Sequence, residues 1–231
     1  MKIIYLFIIL IVSIDTSSET ISHDRSSNNY KYTSIGIHFI ESEKSGVAIN
    51  LSLDLPGSFY FTLERKADGI DYKNESYDKV VDTARLGAHI GIGDLIGRIS
   101  AGDFNFKLNN LFDIFAEVGI KTSDFDGEKF NFQGDDTYAS YLAGIRFGDS
   151  NKLEGKLFLD VTREAKIIET SNPSCLALNC PPYEAEISDD SDKKFGIGVL
   201  YNINSRNAFF IEISTSQVLD NMVKIGYQLN F

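Results

Sequence analysis

Apolar and polar residues alternate along most of this chain with a period of two. The clearest stretch is 46–55, where Val47, Ile49, Leu51, Leu53 and Leu55 interleave with Ala48, Asn50, Ser52 and Asp54. Successive side chains of an extended strand point to opposite faces, so this pattern predicts a strand with one aliphatic side. Pro56-Gly57 predicts a tight turn. Phe59, Phe61 and Leu63 then alternate with Tyr60, Thr62 and Glu64. The scheme recurs with Phe112, Ile114, Ala116, Val118 and Ile120 opposite Asp113, Phe115, Glu117, Gly119 and Lys121. It recurs again at Ala139, Tyr141, Ala143, Ile145 and Phe147, and at Leu153, Leu157, Leu159 and Val161. A 3.6-residue amphipathic period is not evident after the first eighteen residues.

The last alternating run is Val223, Ile225, Tyr227, Leu229 and Phe231 against Met222, Lys224, Gly226, Gln228 and Asn230. A strand that runs to a terminal Phe predicts closure, because pairing the last strand with the first removes both sheet edges. The pattern predicts ten strands, at 30–40, 46–55, 58–66, 81–93, 110–122, 137–148, 152–167, 194–203, 207–216 and 221–231. The fold expected is an all-β, antiparallel, up-and-down transmembrane β-barrel of ten strands, with eight or twelve as alternatives. Short turns at 56–57, 149–151 and 203–206 alternate with longer polar connections at 67–80, 123–136 and 168–193. Asp94 to Asn109 breaks that rule, being long on the short-turn side; two further strands there would raise the count to twelve.

If the aliphatic faces point outward, the opposite face collects His38, Glu64, Arg85, His89, Asp113, Glu117, Arg146, Glu154, Lys156, Asp160, Glu212 and Lys224. An Arg or Lys facing lipid at mid-depth costs about 2–4 kcal/mol. These charges are therefore expected to line a lumen. They would serve either as a plug of ion pairs or as the wall of a small passive channel. A third reading, a soluble periplasmic barrel of the lipocalin kind, would put the aliphatic face inside a cavity and the charges outside.

The N-terminus changes the picture next. Lys2 precedes an apolar run from Ile3 to Ile14. The run is short of the about 20 residues that a membrane helix needs, and it suits the core of a secretory signal peptide. Residues 1–18 are read as that signal, with the cleavage site poorly defined. Residues 19–29 form a polar tail and 30–231 the barrel. An exported chain permits disulfides, and the two cysteines, Cys175 and Cys180, lie close together in a polar, Pro-rich segment. They are expected to pair; two ligands without a nearby His make a poor zinc site.

Composition adds exclusions. The net charge of −11 argues against a basic nucleic-acid groove. The run from Glu184 to Asp192 reads as a solvated acidic loop. Pro is scarce and Phe, Tyr and Gly are frequent, with 17, 11 and 18 respectively, which favours strands and turns. Neither Gly36-Ile37-His38 nor Gly87-Ala88-His89 supplies the acid of an acid-x-His pair. No catalytic constellation is expected, no cofactor and no metal.

Several phrases resemble the small outer-membrane β-barrel proteins of Gram-negative bacteria, a group loosely akin to opacity-type proteins. They are Ala84-Arg85-Leu86-Gly87-Ala88-His89, Asp113-Ile114-Phe115-Ala116-Glu117-Val118-Gly119, Leu142-Ala143-Gly144-Ile145-Arg146-Phe147, Lys152-Leu153-Glu154-Gly155-Lys156 and the final nine residues from Val223 to Phe231. The resemblance implies an outer-membrane location and insertion by the barrel assembly machinery, which would read Val223, Ile225, Tyr227, Leu229 and Phe231. It implies no particular activity. The expectation is a monomeric structural barrel among outer-membrane lipids, with exposed loops suited to adhesion or surface contact.

Overall fold

The computed structural model describes residues 30–42, 44–72, 75–92, 95, 112–126, 131–132, 137–171, 183–218 and 221–231. The strands are β1 (Ser34–Glu41), β2 (Gly46–Leu55), β3 (Phe59–Tyr72), β4 (Glu75–Gly91), β5 (Phe112–Asp126), β6 (Asn131–Phe132), β7 (Thr137–Asp149), β8 (Leu153–Ser171), β9 (Tyr183–Asn202), β10 (Asn207–Thr215) and β11 (Met222–Asn230). Ten of them close an antiparallel barrel in sequence order, with β11 paired to β1 and β9 to β10. β6 stands apart, a two-residue strand running parallel to Glu186 and Ile187 of β9. The predicted count of ten holds.

Closure follows from the register. Ser34 faces both Asn230 of β11 and Ser52 of β2, and Glu41 faces Val223. Every barrel strand thus gains partners on both sides over most of the wall, which satisfies its backbone N–H and C=O groups. Gly57 and Gly148 adopt positive φ, 93° and 97°, at two of the tight turns, where a side chain would be strained.

The alternation sorts the side chains. Ile37, Ile49, Val118, Ile197, Ile211 and Ile225 are about half exposed on the outer wall, while His38, Ala48, Phe115, Ser140 and Lys224 are buried inside. The aliphatic face is outside and the charges are inside, the reverse of a lipocalin-like calyx. That reading is corrected on this ground.

The two ends differ. At the near end lie Tyr30, Phe231 and the turns at 56–58, 150–152 and 203–206. The far end is uneven, because β3, β4, β8 and β9 run 14, 17, 19 and 20 residues while β1, β10 and β11 run only 8, 9 and 9. Two hairpins therefore rise above the rest of the rim. The loops expected at 67–80 and 168–193 are largely strand: β3 and β4 are paired from Phe59↔Ala88 to Tyr72↔Glu75, and β8 and β9 out to Ser171↔Tyr183. Glu184 to Asp192 is likewise strand, and Asp192 is buried rather than solvated. The first strand begins at Ser34, four residues later than expected, and Tyr30 to Thr33 turn into the near mouth. The signal segment 1–18, the tail 19–29, the connection 94–109 except for Leu95, and the Cys175 and Cys180 pair lie outside the described residues.

Candidate functional site

Among the described residues, chemistry-bearing side chains converge in the lumen. Its near end is closed by the residues that precede β1. The Tyr30 hydroxyl donates to the Gly148 carbonyl at 3.1 Å. Tyr32 donates to Asp113, whose carboxylate also lies 3.3 Å from Nδ1 of His89. The Tyr32 ring stacks on His89 and tilts against Tyr60, with centroids 4.0 and 4.4 Å apart. Arg146 pairs with Glu154 at 2.5 Å, donates to the Lys31 carbonyl at 3.0 Å and lies over the Tyr30 and Tyr32 rings. Burial and the Asp113 carboxylate outweigh Arg146 and hold the Tyr32 phenol above its ordinary range, so it remains a donor.

The backbone fixes this segment as well. Ser52 donates to the Tyr32 carbonyl, the Asp54 amide to the Thr33 hydroxyl, and the Phe231 amide to the Thr33 carbonyl. Gly87 makes room for the plug, since a Cβ there would overlap the Tyr60 ring.

The middle of the lumen is a lattice of ion pairs. Arg85 reaches Asp160 at 2.9 Å and Glu117 at 3.8 Å, and donates to Ser140 at 2.9 Å. Glu117 also accepts from Tyr60 at 2.8 Å. Lys224 pairs with Glu64 at 3.0 Å and approaches Glu212 at 3.9 Å. His38 lies 2.7 Å from Asn50 and meets the edge of Phe210. Lys156 rests over the rings of Phe115 and Phe158, at 5.3 and 4.8 Å. Two adjoining cavities of about 180 and about 160 Å³ share Glu64, Lys156 and Lys224 in their walls. Each has room for several waters.

The far end is crossed by a second closure of different chemistry. Glu164 accepts from Lys79 at 2.5 Å, from Lys121 at 2.7 Å and from Lys194 at 2.7 Å. Glu164 and Lys79 are almost fully buried. Lys194 also approaches Asp192 at 3.5 Å, and Lys66 pairs with Asp68 at 2.6 Å. Asp192 in turn accepts from Ser216 and from the Gln217 amide, both at 2.8 Å.

All twelve residues expected at the lumen are thus found on its inner face, and they fall into three groups. His89, Asp113, Arg146 and Glu154 join the near closure; Glu64, Arg85, Glu117, Asp160, Glu212 and Lys224 form the lattice; His38 and Lys156 contact aromatic rings. Sequence reasoning missed Tyr30, Tyr32, Lys66, Lys79, Lys121, Glu164 and Lys194 as lumen residues. The even-numbered parity of Glu154, Lys156 and Asp160, continued to Glu164, was the available signal.

The outer wall carries the opposite chemistry. On β5 the outward residues from Phe112 to Ile120 are all apolar and the next are Thr122 and Asp124. On β3 and β4 the first outward charges are Arg65 and Asp82, paired at 3.7 Å. A nine-residue tilted strand crosses a hydrocarbon layer, so the belt has the height of one. Phe59, Phe112, Phe147, Tyr201, Phe209, Tyr227 and Phe231 ring the near end. Ile225, Tyr227, Leu229 and Phe231 of the expected assembly signal face outward, with Phe231 77% exposed, and Val223 shares their face.

No protein-family model matches the sequence, and the search of curated proteins gives no match either. Among solved structures the chain is similar to KdgM porin, with 11% identity, a TM-score of 0.38 and coverage of 86% of this chain and 99% of that one. It is similar to LpxR from Salmonella typhimurium at 11% identity and a TM-score of 0.41, over 86% and 100% of the two chains. The β domain of the Bordetella autotransporter BrkA gives 12% identity and a TM-score of 0.35, over 86% and 100%. At these values the likenesses carry no argument about activity. The class of the molecule rests on its own geometry, a closed ten-stranded antiparallel β-barrel with a charged lumen and an apolar wall.

Proposed function

We propose that this chain is a monomeric outer-membrane β-barrel whose lumen is closed, and that it acts through the two tall far-end hairpins as a structural and surface-contact protein. One observation carries the reading: the wall is apolar over the height of a bilayer, while the bore is crossed at both ends by hydrogen-bonded and ion-paired side chains. The near end would face the periplasm and the hairpins the exterior, in keeping with short turns inside and longer excursions outside. The opacity-type kinship read from the phrases above, export by the 1–18 segment, insertion by the assembly machinery and the absence of catalysis belong to the same proposal.

Fractionation tests it. The protein should resist alkaline washing, require detergent for extraction and run as a heat-shifted band on gels. A tag placed at 73–74 should be reached by antibody on intact cells. Release by alkali without detergent would overturn the membrane placement, and a tag reached only after permeabilisation would overturn the orientation. A passive channel is the second reading, favoured by the two adjoining cavities along the lumen; conduction would require both closures to move.

A further inference from the structure

The apolar belt is not uniform. One register row crosses five strands as Phe59, Ala88, Ala116, Ala143 and Leu159. The row above it reads Leu86, Val118, Tyr141 and Val161, and the row below Ile90, Ile114 and Ile145. Three alanines thus floor a trough walled on its upper side by Leu86, Val118, Tyr141 and Val161 and stopped at its ends by Phe59 and Leu159. The trough is an open groove of about 450 Å³ on the outer face. With strands about 4.8 Å apart, its floor is on the order of 10–15 Å long.

Cations stand beside one end of the trough. Lys193 faces Val161 across the β8–β9 ladder and so continues the upper row. Arg163 follows two residues above Val161 on the same outward face. Both side chains are exposed. The β7–β8 ladder stops at Tyr141↔Val161, and above it Lys121 reaches through from the lumen to the Arg163 carbonyl at 3.1 Å, which fixes that residue at the seam. Tyr141 offers a phenol between trough and cations. On the opposite wall, formed by β10, β11, β1 and β2, the outward positions carry Glu41 and no Lys or Arg among the described residues.

We infer that this side of the barrel seats one phosphorylated acyl lipid of the surrounding leaflet. An acyl chain fills the alanine trough and the phosphate meets Lys193 and Arg163. The trough supplies shape and the cations supply charge, and a phosphate-bearing lipid is the occupant that satisfies both. The inference rests on the membrane reading above and adds a ligand class to it.

The test uses the folded protein purified from membranes in a non-ionic detergent, titrated with phosphatidic acid or with diacylglycerol of matched chains, and read by native mass spectrometry. One phosphatidic acid per barrel is expected, bound severalfold better than diacylglycerol. Ala116→Phe with Ala143→Phe fills the trough from the lipid side and should weaken phosphatidic acid about tenfold or more. Lys193→Gln and Arg163→Gln should each weaken it about fivefold and leave diacylglycerol unchanged. Ile211→Phe on the opposite wall should change neither. Equal binding of the two lipids, or a filled trough that binds as before, overturns the inference. A dimer mass abolished by the trough variant also overturns it, by naming a second copy as the occupant. Loss of the heat-shifted band or release by alkali, in the unaltered protein, overturns the membrane reading instead.

Discussion

The two closures of the lumen solve one problem with different materials. At the near end four residues ahead of β1 fold inward, and aromatic stacking and backbone hydrogen bonds hold Tyr30 and Tyr32. At the far end a single carboxylate, Glu164, is shared by three lysines from β4, β5 and β9. The near closure depends on a segment that is no part of the sheet, and neutral hydrogen bonds make up much of it. The far closure ties four strands, the three lysines' and β8, mainly through charge. Buried charges depend on their partners far more than stacked rings do, because a lone buried ion keeps its full desolvation cost. The far end should therefore be the more brittle of the two.

The sharpest way to break that contrast is Glu164→Gln. It leaves Lys79, Lys121 and Lys194 without their shared carboxylate and should cost about 3–5 kcal/mol, read by urea unfolding of the lipid-embedded protein. A loss under about 1 kcal/mol would mean that water already screens the cluster. Ile211→Arg sets the wall against the lumen: the same charge that the interior accepts should cost about 2–4 kcal/mol at mid-belt in the same assay. Tyr32→Phe keeps the near-end stack but strips Asp113 of its hydroxyl donor, at about 1–3 kcal/mol. Should it exceed Glu164→Gln, the ranking of the two ends is reversed. Arg65→Gln removes an exposed pair at the rim and should change stability by less than about 1 kcal/mol, which gives the baseline for charge outside the bore.

Much of the wall was legible because a strand with an apolar outer face and a polar inner one carries a period-two pattern. The expected strand from Gly46 to Leu55 matches β2 at both ends for that reason, and the inward parity of Arg85, Arg146 and Lys224 follows. Above the apolar belt the outer face turns polar, so the alternation fades. Asp68, Asp71 and Asp78 make 67–80 read as a loop, although 67–72 continue β3 and 75–80 belong to β4. Tyr30 and Tyr32 share the inward parity of His38, but only the register with Asn230 and Ser52 shows that β1 starts at Ser34 and frees them to turn inward. The Glu164 cluster was hidden for another reason. Its lysines, Lys79, Lys121 and Lys194, come from strands distant in sequence, and only the curvature of the closed sheet brings them to one carboxylate.

Ion conductance of the folded, heat-shifted protein in a planar bilayer, beside a Tyr30→Ala/Tyr32→Ala/Glu164→Gln variant verified as folded in the same way, tests whether the lumen is closed. A closed lumen gives silence from the unaltered chain and current steps from the variant, because both closures have been loosened. Discrete, reproducible steps from the unaltered chain would contradict the closed lumen and make the barrel a channel.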